Sequence, residues 1–187
     1  MGVGDVRQLV QAAASGDQRA WDELVERFSG LVWSVIGAYR LGAADAADVF
    51  QTTWLRLVEH LRRLEHPERV GGWLATTARR EAIRVARAAW MVVPTEDHYV
   101  LESPSFEQSS PEALAIESDR ARRLWQAFQE LSARCQELLR VLLASPPMTY
   151  LEIAAVLEMP IGSIGPTRSR CLQDLRARLA ARDSNAM

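Results

Sequence analysis

Residues 149–170 read TYLEIAAVLEMPIGSIGPTRSR, and this stretch decides the fold class of the C-terminal part of the chain. Thr149 and Glu152 have the spacing of a capping box, in which each side chain bonds the backbone N–H of the other residue at a helix N-terminus. Apolar residues then recur three and four positions apart through Leu157, which is the period of one helix face. The stretch therefore opens with a short amphipathic helix whose first turn is fixed by its own side chains.

A second helix is predicted directly after a tight turn at residues 158–162. Ser163 is placed to cap this helix, which runs from Ile164 to about residue 178. Pro166 fits this assignment because it falls in the first turn, where its missing N–H has no intrahelical partner. Two helices joined by a tight turn, the second rich in arginine, are typical of the helix-turn-helix that reads DNA.

The start of the second helix carries the candidate DNA contacts. In helix-turn-helix docking, residues early in the second helix reach base edges in the major groove, and flanking residues reach phosphates. Arginine is the side chain best suited to guanine edges and to phosphate. The candidates are Ser163, Thr167, Arg168 and Arg170. An ordinary helical hairpin with a charged outer face is the alternative, but the capping box, the turn length and the arginine placement favour DNA binding.

Helical periodicity also dominates residues 5–90. Apolar residues at positions 21–39 recur in steps of three and four and predict one long helix. A further helix is predicted at about 43–61, with Val58 in its inward stripe. No stretch anywhere in the chain alternates in polarity like a β-strand. Core packing is the favoured interpretation for three tryptophans, Trp21, Trp33 and Trp54.

The last helix of this part is basic. The chain breaks at Pro67, is predicted to flex at residues 70–72, and re-enters a helix at about 73–90. Three arginines spaced four and three apart share one face of this helix: Arg80, Arg84 and Arg87. Basic side chains beside the ring of Trp73 suit a DNA strand with unstacked bases, since rings stack on bases while arginine holds phosphates. Core packing of Trp73 is an equal alternative.

Charge is segregated along the chain, although the net charge is only −2. All 22 basic residues are arginine. Residues 61–90 carry seven arginines against three acids, whereas residues 91–119 carry seven acids and no arginine. Two basic segments flanking an acidic one favour two nucleic-acid-facing modules joined by a linker that DNA repels. Solvated helix faces are the alternative interpretation.

These patterns predict an all-α protein of two small helical domains. The first covers residues 1–90 and the second residues 111–182, with helices at about 111–131 and 133–144 before the helix-turn-helix. Residues 91–110 contain prolines, serines and acids without any sustained period, which predicts a flexible acidic linker. Fully extended, this linker would span roughly 65 Å.

Composition argues against several other classes of protein. No run of about 18 apolar residues is present and no secretory leader is recognised, so we expect a cytoplasmic protein without a membrane span. Cys135 and Cys171 lie in no CxxC motif and are not expected to form a disulfide framework, which fits a reducing compartment. The three histidines lack metal-ligand spacing, and GxGxxG, P-loop and HExxH motifs are missing. We therefore expect neither a cofactor nor an enzyme.

Three segments resemble bacterial sigma factors. Residues 48–57, DVFQTTWLRL, are similar to a region 2 run of that family, and residues 73–80, WLATTARR, are similar to a second one. Residues 150–176, with MPIGSI at 159–164, are similar to region 4. Their order resembles the small extracytoplasmic-function, or group IV, sigma factors, which keep only regions 2 and 4. The resemblance covers nearly the whole chain.

The resemblance implies a role without catalysis, in which the chain directs core RNA polymerase to promoters. In the family, region 2 docks on the β′ clamp helices of core polymerase and captures the unwound −10 strand of promoter DNA. Region 4 reads the −35 element as duplex, near the β flap. An anti-sigma factor is a further candidate partner. A stand-alone helix-turn-helix regulator that binds an operator as a dimer is the alternative function.

The resemblance also implies roles for individual residues. The polymerase-docking helix carries Asp48, Gln51, Trp54 and Arg56. The loop at residues 61–72 maps to the loop that holds a flipped −10 base. The −10 residues are Arg62, Arg63, Trp73, Arg79, Arg80, Arg84 and Arg87. The −35 residues are Tyr150 together with the four candidates of the helix-turn-helix.

Several positions depart from the family pattern, among them Gly165-Pro166-Thr167-Arg168, where a Lys-Ser-Arg-Leu-like run is common. Glu158 stands where the family has a turn glycine, so we expect a left-handed backbone there at a cost of about 1 kcal/mol. Arg80 and Arg84 stand where the family often has Asn and Asp. We expect these departures to change which promoter sequence is read and to leave the role of the protein intact.

Overall fold

The computed structural model describes residues 5–39, 41–91 and 111–184, and these ranges contain α-helices and short 3-10 turns but no strand. The all-α prediction is confirmed for them. The predicted linker lies outside the described residues except for Met91. The helices are α1 Val6–Ala14, α2 Gln18–Ile36, α3 Ala43–His60, α4 Val70–Met91, α5 Pro111–Gln129, α6 Ala133–Leu142, α7 Tyr150–Leu157 and α8 Ile161–Ser184.

Helices α1 to α4 form an N-terminal bundle around α2. The Asp17 carboxylate caps α2 by accepting from the backbone N–H groups of Arg19 and Ala20. Helix α4 crosses α2 at Gly71, where a Cβ would stand only 2.9 Å from Phe28 Cε1. The predicted flexible point at residues 70–72 is therefore wrong, since these residues form the first turn of α4 and pack closely on α2.

Helices α5 to α8 form a C-terminal bundle that contains the predicted helix-turn-helix. The capping box is confirmed: the Glu152 N–H donates to Thr149 Oγ1 at 3.3 Å, and the Thr149 N–H donates to Glu152 Oε2 at 2.8 Å. Glu158 ends α7 with φ 50° and ψ 50°, which confirms the expected left-handed backbone.

The predicted start of the second helix is three residues too late. Helix α8 begins at Ile161, and Ser163 Oγ donates to the Pro160 carbonyl at 2.7 Å, so Ser163 does not cap the helix. Pro166 consequently lies in the helix interior and leaves the Gly162 carbonyl without its i+4 donor. The sequence did not reveal the first turn of α8, because Ile161-Gly162 lacks the side-chain signals that mark a helix N-terminus.

Cys135 of α6 and Cys171 of α8 form a disulfide, with their Cα atoms 5.4 Å apart. The sequence predicted no disulfide framework, and the two cysteines form this single bond because α8 returns along α6 and brings together two residues 36 positions apart. The bond lies in an apolar cluster with Leu131 and Leu139, and Cys171 is buried.

The two bundles pack against each other. Helix α7 lies on α4, and α6 lies on the end of α2 and on the 3-10 turn Gly37–Tyr39. Buried residues of the C-terminal bundle, such as Leu138 and Ile153, belong to the same apolar cluster as the core of the N-terminal bundle. The division into two separately folded domains stays a prediction.

Candidate nucleic-acid and polymerase-binding surfaces

The exposed face of α4 carries the predicted row of arginines. Arg80, Arg84 and Arg87 are all exposed. Arg84 Nε donates to Glu81 Oε2 at 2.8 Å, and the other oxygen of the same carboxylate lies 2.7 Å from Arg56 Nη2 on α3. Glu81 is 5% exposed, so this buried carboxylate fixes α3 to α4 and orients one arginine from each.

A cleft of about 860 Å³ lies where α4 meets α7. Arg63, Trp73 and Arg80 line it from the N-terminal bundle, and Leu151 and Glu152 line it from the C-terminal bundle. Trp73 is half-buried, and its ring centroid lies 5.7 Å from that of His60. The cleft thus combines cationic side chains with an aromatic face, which is the combination that binds unstacked bases.

Two of the predicted −10 arginines point elsewhere. Arg62 Nε donates to the Ala14 carbonyl at 3.1 Å and satisfies the C-terminal end of α1. Arg79 reaches across to the C-terminal bundle, where Nε donates to Glu137 Oε1 at 2.9 Å and Nη1 donates to Glu158 Oε1 at 3.1 Å. The Arg79 side chain is only 13% exposed. We call this the Arg79 contact.

Glu137 is the centre of the Arg79 contact. This carboxylate is 8% exposed and also accepts a hydrogen bond from the Tyr39 hydroxyl, while Arg134 Nη1 lies 3.4 Å away. Burial raises the pKa of Tyr39, and the neighbouring Glu137 carboxylate raises it further. Burial lowers the pKa of the Arg79 guanidinium, but the hydrogen bond to Glu137 and the nearby charges of Tyr39, Glu137 and Glu158 together raise that pKa by more. The two bundles are therefore joined by a charged, mostly desolvated cluster.

Helix α3 presents the predicted polymerase-docking side chains unevenly. Asp48 and Gln51 are exposed on one face, and Leu55 and Val58 continue that face with exposures of 64% and 55%. The prediction that Val58 points inward is wrong. Trp54 is only 7% exposed and packs edge-on against the ring of Trp21, which confirms core packing for it; Trp21 and Trp33 also pack against the core. The exposed face of α3 is consequently half polar and half aliphatic.

The start of α8 leaves its arginines open to solvent. Arg168 and Arg170 are exposed, and Arg170 Nη2 donates to Thr167 Oγ1 at 3.3 Å. Thr167 and Ser163 are half-buried. Tyr150, the first residue of α7, is 41% exposed. These five predicted −35 side chains lie on the first helix turn of α7 and on the N-terminal part of α8.

Neither a metal site nor a membrane helix is found in what the structure describes. In residues 5–39, 41–91 and 111–184, three or more His, Cys, Asp or Glu side chains never gather as a metal would need. Of the eight described helices, none is both long enough and apolar enough to span a bilayer.

The sequence reasoning missed three side chains that organise these surfaces. Glu81 and Glu137 have partners on other helices, and nothing in their local sequence marks them. Leu55 could have been found, because it lies four positions after Gln51 and seven after Asp48 and therefore shares their helix face.

Comparison with known families agrees with the geometry of the N-terminal bundle. Residues 24–91, which span α2 to α4, match the family described as Sigma-70 region 2. The ECF RNA polymerase sigma-E factor of Escherichia coli strain K12 is 26% identical over 165 residues, covering 83% of this chain and 84% of that protein. The ECF RNA polymerase sigma factor SigE of Mycolicibacterium smegmatis is 29% identical over 179 residues, covering 91% of this chain and 67% of its own length.

Two solved structures share the fold across both bundles. CnrH, solved in complex with the cytosolic domain of CnrY, matches with a TM-score of 0.64 at 22% identity over 95% of this chain and 98% of its own. The sigma factor RpoE of Bartonella quintana, solved with the anti-sigma factor NepR, matches with a TM-score of 0.61 at 23% identity over 85% of this chain and 95% of its own. Residues 24–91 thus match a sigma-70 region 2, and over most of its length the chain is similar to ECF RNA polymerase sigma factors.

Proposed function

We propose that the chain is a sigma factor that binds core RNA polymerase and directs transcription initiation at promoters with cognate −10 and −35 elements. The match of α2–α4 to sigma-70 region 2 carries this proposal. The chain acts as a non-enzymatic regulator in the cytoplasm, where polymerase and chromosomal DNA are found.

Core polymerase docks on the exposed face of α3. Asp48 and Gln51 supply polar contacts, while Leu55 and Val58 supply the aliphatic area that burial at an interface rewards. Arg56 extends from the same helix toward Glu81. Trp54 supports this face from within and does not touch the polymerase.

The −10 strand binds along α4 and in the cleft beside it. Arg80, Arg84 and Arg87 hold successive phosphates, and Trp73 offers a ring on which an unstacked base can lie. Arg63 closes the cleft on the side of the 3-10 turn Leu61–Arg63. Arg62 donates a hydrogen bond to the end of α1, so it stabilises the fold and does not contact DNA.

The −35 element binds at α8. Arg168 and Arg170 are exposed at the N-terminal part of the helix, where a recognition helix meets the major groove. Arg168 reads a base and Arg170 holds a phosphate, since the hydrogen bond to Thr167 keeps Arg170 close to the helix surface.

A partner that restrains the protein is also expected. CnrH and RpoE were solved with the cytosolic domain of CnrY and with the anti-sigma factor NepR, respectively. By analogy, an anti-sigma factor binds this chain. A dimeric stand-alone regulator is not favoured, because it has no need of the region 2 match in α2–α4.

Co-purification with core RNA polymerase and sequencing of the DNA that the complex retains tests the proposal. We expect wild-type chain to form a complex that enriches genomic fragments with a shared pair of elements. The double variant Leu55→Glu, Val58→Glu should lose the complex, because it would bury unpaired charges at the interface. Glu23→Gln, an exposed change on α2, is the matched surface control. Retention of core polymerase by the double variant, or enrichment of no common element, contradicts the proposal.

A further inference from the structure

The N-terminal part of α8 is fixed to the rest of the protein at two positions. In the described part of α8, Ile164 and Cys171 are the buried side chains. Ile164 belongs to the large apolar cluster that both bundles share, and Cys171 is bonded to Cys135 of α6. Arg168, the proposed base-reading residue, lies between these two positions. The orientation of Arg168 toward DNA therefore depends on the Cys135–Cys171 bond.

Few other contacts hold this part of α8. The apolar cluster around the bond is small, with two leucines as its buried members besides Cys171. A Cβ on Gly162 or on Gly165 would stand in open space, so the helix backbone packs on nothing at these positions. Pro166 supplies no N–H to the helix in which it lies. Without the bond, the N-terminal part of α8 would keep Ile164 as its buried anchor and could tilt about it.

The two cysteines differ in how an oxidant can reach them. Cys171 is only 1% exposed, whereas Cys135 is half-buried. Cys135 also lies in the first turn of α6, where its backbone N–H donates to the capping Ser132 Oγ at 3.3 Å. The N-terminal end of a helix favours negative charge and therefore a thiolate, which is the reactive form of cysteine. Oxidation of the reduced pair consequently begins at Cys135.

Hydrogen peroxide oxidises such a pair in two steps. The Cys135 thiolate attacks one peroxide oxygen, the O–O bond breaks, and the departing hydroxide takes up a proton and leaves as water. The Cys171 sulfur then attacks the sulfur of the Cys135 sulfenic acid; the S–O bond breaks, the disulfide forms, and the thiol proton leaves with hydroxide as a second water. The two sulfurs together lose two electrons, which the peroxide gains. Exchange with a cellular thiol restores the dithiol.

We propose that Cys135 and Cys171 form a modification site for hydroperoxides that controls −35 recognition. In a reducing cytoplasm the pair is a dithiol, and the disulfide forms when the peroxide concentration rises. The oxidised chain holds α8 in place and reads the −35 element, whereas the reduced chain binds the same duplex more weakly. The −10 surface on α4 is the same in both states. This inference rests on the proposed role of α8 in −35 binding.

Trapping of the sulfenic acid tests which thiol reacts first. Cys171→Ser lacks the second thiol, so hydrogen peroxide should leave a sulfenic acid on Cys135 that dimedone labels. Cys135→Ser should lose this label, because Cys171 is buried. Circular dichroism checks that both variants fold, and Cys171→Ala replaces Cys171→Ser if the buried hydroxyl prevents folding. Equal labelling of the two single variants would overturn the assignment of Cys135 as the reactive thiol.

Binding of the polymerase complex to promoter duplex tests the control of recognition. Wild-type chain is reduced with a phosphine or oxidised with equimolar hydrogen peroxide, freed of reagent and assembled with core polymerase. On a promoter enriched by the wild-type complex, the oxidised form should bind at least about fivefold more tightly than the reduced form. Cys135→Ser, treated in the same two ways, should show no difference and controls for oxidation of the polymerase. Equal binding by the two wild-type forms would overturn the inference.

The same promoter with a scrambled −35 element separates this inference from the proposed function. The advantage of the oxidised form should disappear on this DNA, because the −10 surface does not change with oxidation. An equal advantage on both promoters would overturn control of −35 recognition. If both redox forms preferred the intact element by the same factor, the proposed function would stand and the inference would fail. If neither form distinguished the two promoters, the proposed −35 role of α8 would fail as well.

Discussion

The two arginine-bearing helices of this protein differ in what holds their side chains. On α4, Arg79 and Arg84 are engaged by the carboxylates of Glu137, Glu158 and Glu81, whereas on α8 Arg168 and Arg170 are exposed. A recognition helix that reads intact duplex can stay open to solvent. On α4, Arg79 is held against the C-terminal bundle, while Arg80, Arg84 and Arg87 remain exposed.

Substitution of Glu137, the buried centre of the Arg79 contact, should give the largest loss of folding stability. Glu137→Ala leaves the Arg79 guanidinium and the Tyr39 hydroxyl without their shared acceptor in a mostly desolvated interface. Removing one partner of such a pair costs about 3–5 kcal/mol. We expect the midpoint of urea unfolding to fall accordingly. Glu130→Ala, at an exposed pair, should lower this midpoint far less, because solvent screens the pair. Similar losses for both variants would show that the contact is no stronger than a surface ion pair.

The disulfide of the C-terminal bundle supports the exposed helix. Cys135–Cys171 closes a loop of 36 residues and fixes α8 to α6. By chain entropy, such a closure stabilises a protein by about 3–4 kcal/mol. A reducing agent should therefore lower the melting temperature of wild type. Cys171→Ser should melt at the same temperature with and without reductant. Alkylation of two thiols in native, unreduced protein would contradict the assignment.

Substitution of Arg168 tests the role of the exposed arginines on α8. If Arg168 makes a bidentate base contact, Arg168→Ala should cost about 1–3 kcal/mol at one base pair of the −35 element. Binding of the polymerase complex to promoters with single base-pair changes measures this. Arg170→Ala is the control, with an expected loss that is uniform across sequences. A uniform loss for Arg168→Ala would assign Arg168 to phosphate.

Substitution of Glu158, the left-handed residue after α7, should give the smallest change in folding stability. Glu158→Gly should gain about 1 kcal/mol from relief of backbone strain. It loses a partly exposed ion pair with Arg79 worth about 0–1 kcal/mol. Glu158→Ala keeps the strain and loses the pair, so it should be less stable than wild type. Urea unfolding of the three proteins checks the order. If Glu158→Gly were no more stable than Glu158→Ala, the left-handed backbone at this position would store no strain.

Local signals in the sequence predicted much of the helix-turn-helix. The capping box at Thr149 depends on residues within one turn, so it was visible in the sequence, whereas the left-handed Glu158 was expected from the family resemblance. The start of α8 was misplaced because Ile161-Gly162 carries no capping signal and Pro166 suggested a first turn.

Contacts distant in sequence could not be predicted in the same way. Glu137 meets partners 58 and 98 residues away, and no periodic pattern encodes such a pairing. Gly71 looked like a hinge, because only the packed structure shows the Phe28 ring next to the place where a Cβ on Gly71 would stand. The arginine rows were therefore predictable from spacing, whereas the acids that engage Arg79 were not.

Run-off transcription by core RNA polymerase with wild type and with the Leu55→Glu, Val58→Glu double variant tests the central claim most directly. On promoters enriched by the wild-type complex, the wild-type chain should direct specific transcripts, and the double variant should direct almost none. Glu23→Gln should be as active as wild type. Specific transcription by the double variant would show that initiation does not require the exposed face of α3, and would contradict the account.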